Sequence, residues 1–595
     1  MKHYLATTAI SEIWDYDKEL LLLGPWCLTG GNNSQIKKDY FLIPSPWKPA
    51  IKIKEAAEYC YQVYRDLLPE ITRELNIIHS VSYPQRYWQI LIGPWLLIFT
   101  KIFYDRYKRL ENAINMFSDL YTHILPLRLS ELASVDMFDF ASGKAGDDFY
   151  NFQLFSIISN ALMPQNVVET QILFKPKIFK NEFDYNWKTK IFNALTKKLL
   201  SKGRFILVDM YHLQNIDKLK IKIRSGYKRI GFIDFYDKCN LVSNLPPLNE
   251  NLRQTISFKN PKDKFCSLLY RVIPYAIPIC YIEGFKNYNK SIDAIKNISN
   301  IEILGSALGW SYNDKFKFFA AKATLSNTKL VEFQHGGGYE TFLSVLSERI
   351  ALEKDLFYVW GENSRKRERV RYLPSPHLSR LKDSYSKKTE QLLFIGVSMP
   401  KYHYHFTTCL QPEDMFKYID DKKLFLSNLH NKIRDNLLYR PHYEYGWNEL
   451  KTIEQVCPNI GYLLKDSLVD YAKKVKLVVI DHPHTSILEA LTINVPSVFY
   501  WDHEVYLMKQ EAEYYFDLLR NAGVVYKDPL SAARKVNEIF DSPLEWWFSS
   551  AVQEAREKFC KRYAFAQNNW IEIWVRELNN LAKITSKNEN LIDLN

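Results

Sequence analysis

The chain has 595 residues, 47% hydrophobic and 25% charged, with a formal net charge of +12. That length exceeds what one core supports and divides into two or three domains, while 15% aromatic residues exclude a disordered chain. Eight cysteines at 27, 60, 239, 266, 280, 409, 457 and 560 include no CxxC pair, which fits the reduced thiols of a cytosol better than a disulfide framework and argues against structural zinc.

The opening segment, MKHYLATTAISEIWDYDKELLLLG, carries acidic residues early and no long apolar core, so it does not read as a secretory signal. ELLLLGPW (19–26) reads as a strand, and the amphipathic stretches 52–78 and 87–121 predict a mainly helical first part. The most apolar stretch, YWQILIGPWLLIFTKIFY (87–104), is uninterrupted only from Ile90 to Thr100. A spanning helix needs about 20 apolar residues, so a buried helix is expected, with an interfacial one second.

From residue 203 short apolar runs alternate with helical lengths: RFILVDMY, RIGFIDFY, AIPICYIEGF, IEILGSA and KLVEFQHG. A second series follows in DLFYVWGE (355–362), EQLLFIGVS (390–398), NLLYRPH (436–442), KLVVIDHP (476–483) and VPSVFYWD (495–502), ahead of a helical stretch over 545–583. This is the texture of parallel α/β sheets. Two doubly wound domains are expected: 1–350, with a helical insertion about 52–200, then 351–545, followed by a helical segment over 546–595.

Basic residues cluster in KKLLSKGR (197–204), KLKIKIRSGYKR (218–229) and RKRERVR (365–371). Such patches suit a polyanion or an anionic membrane surface, although a solvated basic face explains any one of them. No zinc-finger, RNA-binding-sheet or helix-turn-helix pattern accompanies them, so nucleic acid is not expected as a partner. A membrane-bound or sugar-phosphate substrate suits them better.

Ligands of open parallel sheets bind beyond the carboxyl ends of the strands, and three loops there carry chemistry. In KLVEFQHGGGYETF, amides at Gly336, Gly337 and Gly338 suit an anion; Gln334 is a further binding candidate, and His335 suits a phosphate or a proton transfer. In KLVVIDHPHTSILEAL, His482-Pro483-His484 forms the loop, and Ser486 with Glu489 matches a Ser-x-x-Glu capping box. Thr485 and Ser486 could equally receive a nucleotide phosphate and Glu489 a ribose hydroxyl. In YRPHYEYGWNE, Arg440 and His442 offer cationic donors, and Tyr443, Tyr445 and Trp447 offer faces for a base or sugar.

Together, QHGGGY, RPHYEYGW, TSILEAL-x-x-N-x-P, LATTAISEIWD and above all RYWQILIGPWL resemble a family of transferases encoded in bacterial O-antigen and surface-polysaccharide clusters, over almost the whole chain. More distantly, the second half is similar to capsule Kdo transferases and to the CDP-glycerol glycerophosphotransferases of teichoic-acid synthesis. The resemblance implies an α/β, GT-B-like fold of two Rossmann-like domains and a metal-independent glycosyltransferase. It also implies a nucleotide-sugar co-substrate with no further cofactor, and a lipid-linked or glycan acceptor. The scattered cysteines fit a cytoplasmic protein, and the basic clusters fit peripheral contact with the inner membrane. His482-Pro483-His484 stands where a plainer Asp-x-x-(Ser/Thr)-Thr loop is expected; a His-Pro pair also occurs in transferases that use CMP-activated acidic sugars, which adds that donor class to those open. Lacking a DxD pair at a strand end, the chain is assigned no metal. An inverting transfer needs a base. Glu283, just after AIPICYI, is favoured, with His335 the competitor and Asp314 of GWSYND a third candidate. A polyol phosphate transferase and a catalytically silent scaffold subunit are the alternative functions.

Overall fold

The computed structural model describes residues 2–586 apart from 30–38, 172–202, 211, 227–228, 234, 236–244, 294, 296–297, 363–367, 404 and 466. Its framework is three parallel sheets. The first, in the order β3-β2-β1-β4-β5, is made of β1 (His3–Ala6), β2 (Glu19–Leu22), β3 (Tyr40–Leu42), β4 (Leu120–Ile124) and β5 (Val167–Glu169). The second comprises β6 (Phe205–Val208), β7 (Ile230–Ile233), β8 (Ile303–Ser306), β9 (Lys329–Phe333), β10 (Leu356–Val359) and β11 (Val370–Tyr372), ordered β11-β10-β9-β8-β6-β7.

The third sheet comprises β12 (Leu392–Ile395), β13 (Leu437–Arg440), β14 (Gly461–Tyr462), β15 (Leu477–Ile480), β16 (Ser497–Tyr500) and β17 (Val525–Tyr526). Its order, β14-β13-β12-β15-β16-β17, is the doubly wound 3-2-1-4-5-6 arrangement, with its switch point between β12 and β15. Strands β12, β15 and β16 are buried along their whole length. That is why they read as continuous apolar runs rather than alternating ones.

The fold is therefore α/β and GT-B-like, with the second and third sheets as its Rossmann-like pair. The N-terminal region adds a parallel sheet to the expected helices. Helices Ile51–His79 and Gln85–Met116 separate β3 from β4 in sequence, and the apolar stretch 87–104 lies buried in the second of them. No helix among the described residues is long and apolar enough to cross a membrane. The same helix carries Lys101, Asp105, Arg106 and Arg109 inward. Lys101 Nζ donates to the His405 carbonyl (2.9 Å), Arg106 to the His403 carbonyl (2.5 Å), and Arg109 pairs with Glu413 (3.1 Å). These bonds tie the N-terminal region to the loop that follows β12.

Several expected elements differ. DLFYVWGE, read as opening the second series, is β10 and pairs with β9, so the second sheet runs to Tyr372. AIPICYI forms no strand. It is the end of helix Lys264–Ala276 followed by a 3-10 turn, with Ile279 and Cys280 amides bonded to the Ser134 and Val135 carbonyls. A short buried apolar run has the same composition in either state. The C-terminal helical stretch is divided into Pro543–Trp547, Ser550–Tyr563 and Trp570–Ser586. The last of these returns to the second sheet, where Trp574 stacks on Phe333 (5.2 Å) and its indole donates to the Pro374 carbonyl (2.8 Å).

Among the described residues, the 218–224 patch does not present one exposed cationic face. In helix Asn215–Arg224, Lys218 and Lys222 are buried, Lys222 donating to the Ile230 carbonyl (2.8 Å), while Arg224 pairs with Glu572. Residues 197–202 and 365–367 of the other two patches lie outside the described residues, as does Cys239.

Candidate functional site at the junction of two sheets

The loop after β9 meets the loop after β15. The Gly337 amide donates to Thr485 Oγ1 at 2.8 Å, and a Cβ at position 337 would lie 2.7 Å from the Thr485 nitrogen. Gly337 is bare because another backbone passes against it. Gly338 turns the chain with φ +90°, a left-handed conformation that favours glycine. Beyond it the crossing continues: the Leu343 amide bonds the Leu507 carbonyl (2.9 Å) and the Lys509 amide bonds the Thr341 carbonyl (2.8 Å).

The loop is held from beneath by Gln334, whose side chain donates to the Gly336 carbonyl (2.7 Å) and accepts from the Trp360 amide (2.7 Å). Gln334 is thus a clip for the turn rather than a free ligand contact. His335 is clamped as well: the Tyr339 hydroxyl meets Nδ1 at 2.8 Å, and the ring bonds the Ala307 backbone at the end of β8. Burial pulls its pKa down to about 4, partly opposed by the Ala307 bond, so the ring is neutral near pH 7.

On the other side, helix Thr485–Ile493 starts with His484 at its N-cap and has no side-chain cap bond. The expected Ser486–Glu489 capping box does not form. Thr485 Oγ1 is occupied by Gly337, and Glu489 Oε1 meets His377 Nε2 at 2.7 Å. Ser486 is left half-buried at the first turn of a helix whose amide dipoles favour an anion. His377 belongs to helix Pro376–Leu381, capped by Ser375. Its ring stacks on His212 (5.3 Å, 24°), and His212 Nε2 donates to the His335 carbonyl at 2.8 Å. His212 is itself held by Arg380, which donates to its carbonyl (2.7 Å) and pairs with Asp217 (2.8 Å). The chain His335, His212, His377, Glu489 therefore crosses from one sheet to the other.

Sequence reasoning missed His377 and His212. His212 stands just beyond the end of β6, where the strand-end rule would have marked it. Nothing local marks His377, whose partner is 112 positions away.

Beneath the 482–486 loop lies a buried polar network at the switch point. Asp481 Oδ1 accepts from the Tyr418 hydroxyl (2.6 Å) and meets His482 Nδ1 (3.0 Å). Lys422 is completely buried, bonded to the Tyr439 hydroxyl (2.7 Å) and to Glu449. His482 thereby serves as a buried support of the loop. His484 packs edge-on to Phe342 (5.2 Å), and burial pulls its pKa down to about 3 with help from His482. In the third loop Arg440 donates to the Leu463 carbonyl (2.5 Å), His442 is exposed, Tyr445 is half-buried, and Trp447 is buried with its indole on the Met399 carbonyl (2.7 Å).

The candidate bases in the N-terminal half do not join this junction. Glu283 is gripped by Arg253 through both carboxylate oxygens (2.8 Å each) and accepts from the Asn249 amide (2.9 Å), with its side chain 3% exposed. Asp314 is buried at the start of helix Asp314–Thr324, bonded to the Met137 amide (2.7 Å), the Tyr281 hydroxyl and Lys317 (2.9 Å). Neither carboxylate stands at a strand end, because the run before Glu283 is helical and Asp314 follows the short helix Gly309–Tyr312. Among the described residues no group of three or more His, Cys, Asp or Glu is disposed to hold a metal ion.

A family model described as "LIC12162 family transferase" matches residues 3–578. The chain belongs to this family of transferases. No curated protein matches it significantly. Among solved structures it is similar to a UDP-forming α,α-trehalose-phosphate synthase from Burkholderia xenovorans, at 10% identity and TM-score 0.36, over 64% of this chain and 99% of that one. It is likewise similar to MurG of Acinetobacter baumannii (10% identity, TM-score 0.32, 64% and 99% covered). A third is WaaG, a glycosyltransferase involved in lipopolysaccharide biosynthesis (14% identity, TM-score 0.25, 66% and 100% covered). Likenesses at these scores decide nothing about activity.

Proposed function

We propose that the protein is a glycosyltransferase that moves a sugar from a nucleotide-activated donor to a growing surface glycan, an O-antigen or a related polysaccharide. The observation that supports this most is the meeting of two strand-end loops at Gly337 and Thr485 in a member of a transferase family. It puts a helix N-terminus and a histidine–carboxylate pair at the junction of the second and third sheets.

The donor phosphates lie at the start of helix Thr485–Ile493, taken by free amides and the Ser486 hydroxyl. Arg440 and Tyr445 border the nucleotide. In the transfer, an acceptor hydroxyl attacks the anomeric carbon, the bond from that carbon to the phosphate oxygen breaks, and the nucleotide leaves with the electron pair. His377, oriented by Glu489, receives the hydroxyl proton, as a general base in a positioned pair does. The helix dipole and Arg440 meet the charge on the leaving phosphate. The acceptor is lipid-linked or a glycan chain, and the transfer takes place in the cytoplasm at the inner membrane face.

The test is a thermal-shift screen of CMP-, UDP-, GDP- and CDP-linked sugars, followed by donor hydrolysis with the best binder. Stabilisation by one sugar nucleotide together with slow release of its nucleotide supports the reading. Stabilisation by CDP-glycerol alone, or by none of them, replaces it with a polyol phosphate transferase or a silent scaffold.

A further inference from the structure

Beside the 482–486 loop, a cavity of about 560 Å³ opens at the carboxyl ends of β15 and β16. That lies within the ~300–1,000 Å³ usual for small-ligand pockets. Its walls are the segment Trp501–Tyr506, helix Met415–Ser427 and the start of helix Pro529–Ile539, with Leu424 and Leu530 partly exposed on its lining. We propose that this cavity is a subsite for an uncharged sugar unit of the donor or the acceptor, an inference that rests on the glycosyltransferase reading above.

Half-buried His503 lines it with Nε2 unpaired, and three buried side chains on its wall also have polar atoms with no hydrogen-bonding partner in the protein: the Tyr500 and Tyr506 hydroxyls and the Trp501 indole nitrogen. These residues are 3%, 2% and 2% exposed. Asp481, 1% exposed, adds Oδ2, which has no hydrogen bond and only the Lys422 ammonium at 3.6 Å. Protein interiors pair such groups, and five of them on residues that line one cavity give a polar ligand partners to take up. A donor-only indole, an acceptor-only carboxylate and two hydroxyls that do either are matched by neighbouring sugar hydroxyls, which both donate and accept. The aromatic faces of the same residues suit the C–H faces of a pyranose.

Charge separates this cavity from a phosphate site. Asp502, Glu504 and Asp528 stand on its lining with Asp414 and Asp421, against Lys527 and a Lys417 already paired with Asp421 (2.9 Å) and Asp502 (3.0 Å). A diphosphate entering here would meet carboxylates, whereas a neutral polyol would not. The Tyr506 ring lies 5.9 Å from that of His484, so the cavity adjoins the loop assigned to the phosphates. A sugar in it would sit next to the nucleotide.

Saturation-transfer NMR on the full chain tests this without turnover. The probes are hexoses, 6-deoxyhexoses, N-acetylhexosamines and uncharged disaccharides, with UMP and CMP alongside. At least one sugar is expected to bind, with Kd raised about tenfold in Tyr506→Phe and in Trp501→Phe, each the loss of one hydrogen bond, and with far-UV spectra unchanged. Tyr500→Phe, an isosteric change, provides an independent third variant. No signal from any sugar, a signal indifferent to all three substitutions, or a UMP or CMP signal abolished by them would overturn the subsite. Nucleotide binding in Ser486→Ala is measured separately, so failure at the phosphate loop is distinguishable from failure here.

Discussion

Gly337 and Thr485 touch through an amide and a hydroxyl at 2.8 Å, and they belong to loops of different sheets. A Cβ on residue 337 would meet the Thr485 nitrogen at 2.7 Å and the His484 carbonyl carbon at 2.9 Å, both backbone atoms that cannot swing aside. Gly337→Ala should therefore force the loops apart and cost about 1–3 kcal/mol, the range for overpacking a close contact. Gly336→Ala, where the added carbon meets only Thr485 Oγ1 at 3.3 Å, should cost less. Chemical denaturation of the two variants checks the order; equal stability would mean that the loops do not pack this closely in solution.

The His377–Glu489 pair should carry the proton transfer. His377→Ala is expected to lower kcat by about 100-fold or more while leaving donor affinity near normal, since general-base groups contribute about 10²–10⁴. Glu489→Gln should produce a smaller loss, because the neutral amide can still hold the ring but no longer stabilises the imidazolium formed in the transfer. A His377→Ala enzyme with normal kcat would return the search to His335.

Buried histidines set the acid stability. Burial pulls His335 and His403 to about 4, and His212 and His484 to about 3. In the unfolded chain these groups titrate near 6.5, so between that value and their native pKa values the unfolded state binds more protons. Stability should be full above about pH 6.5 and fall steadily as the pH drops towards 4, with protons taken up on unfolding. Thermal melts across pH 8 to 4 measure it directly. A Tm that stays level from pH 7 to 5 would contradict the burial.

Glu283 and Arg253 form a buried pair, 3% and 0% exposed. Glu283→Ala leaves the guanidinium without its carboxylate and should cost about 3–5 kcal/mol. Activity per folded molecule should survive, which separates a structural carboxylate from the base that the strand reading assigned to it.

Much of the framework was legible because burial on both faces leaves a plain signature. Runs such as LVVI in β15 and LLFI in β12 are apolar throughout, and the end of β15 places His482. Of the first sheet only β2, within ELLLLGPW, was legible. Two helices of 29 and 32 residues intervene between β3 and β4, and Tyr40, Phe41 and Leu42 are exposed on an edge strand only three residues long. The Ser-x-x-Glu pattern was present yet idle, since a capping box is a local preference and His377 outbid the local amide for Glu489. From the sequence, glycines 336–338 fit either a bare cradle for phosphates or a tight turn. At Gly337 the bareness serves a protein backbone, a requirement that no local pattern distinguishes from ligand approach.

Ser486 gives the most direct test of the central claim, because its side chain caps nothing and its loss should leave the fold intact. Isothermal titration of the best-binding sugar nucleotide into the wild type and Ser486→Ala is the measurement. The account predicts an unchanged Tm and a Kd weakened about tenfold, one lost hydrogen bond to a charged phosphate. A Kd identical in the two proteins, with the nucleotide still bound, would place the donor phosphates elsewhere and contradict it.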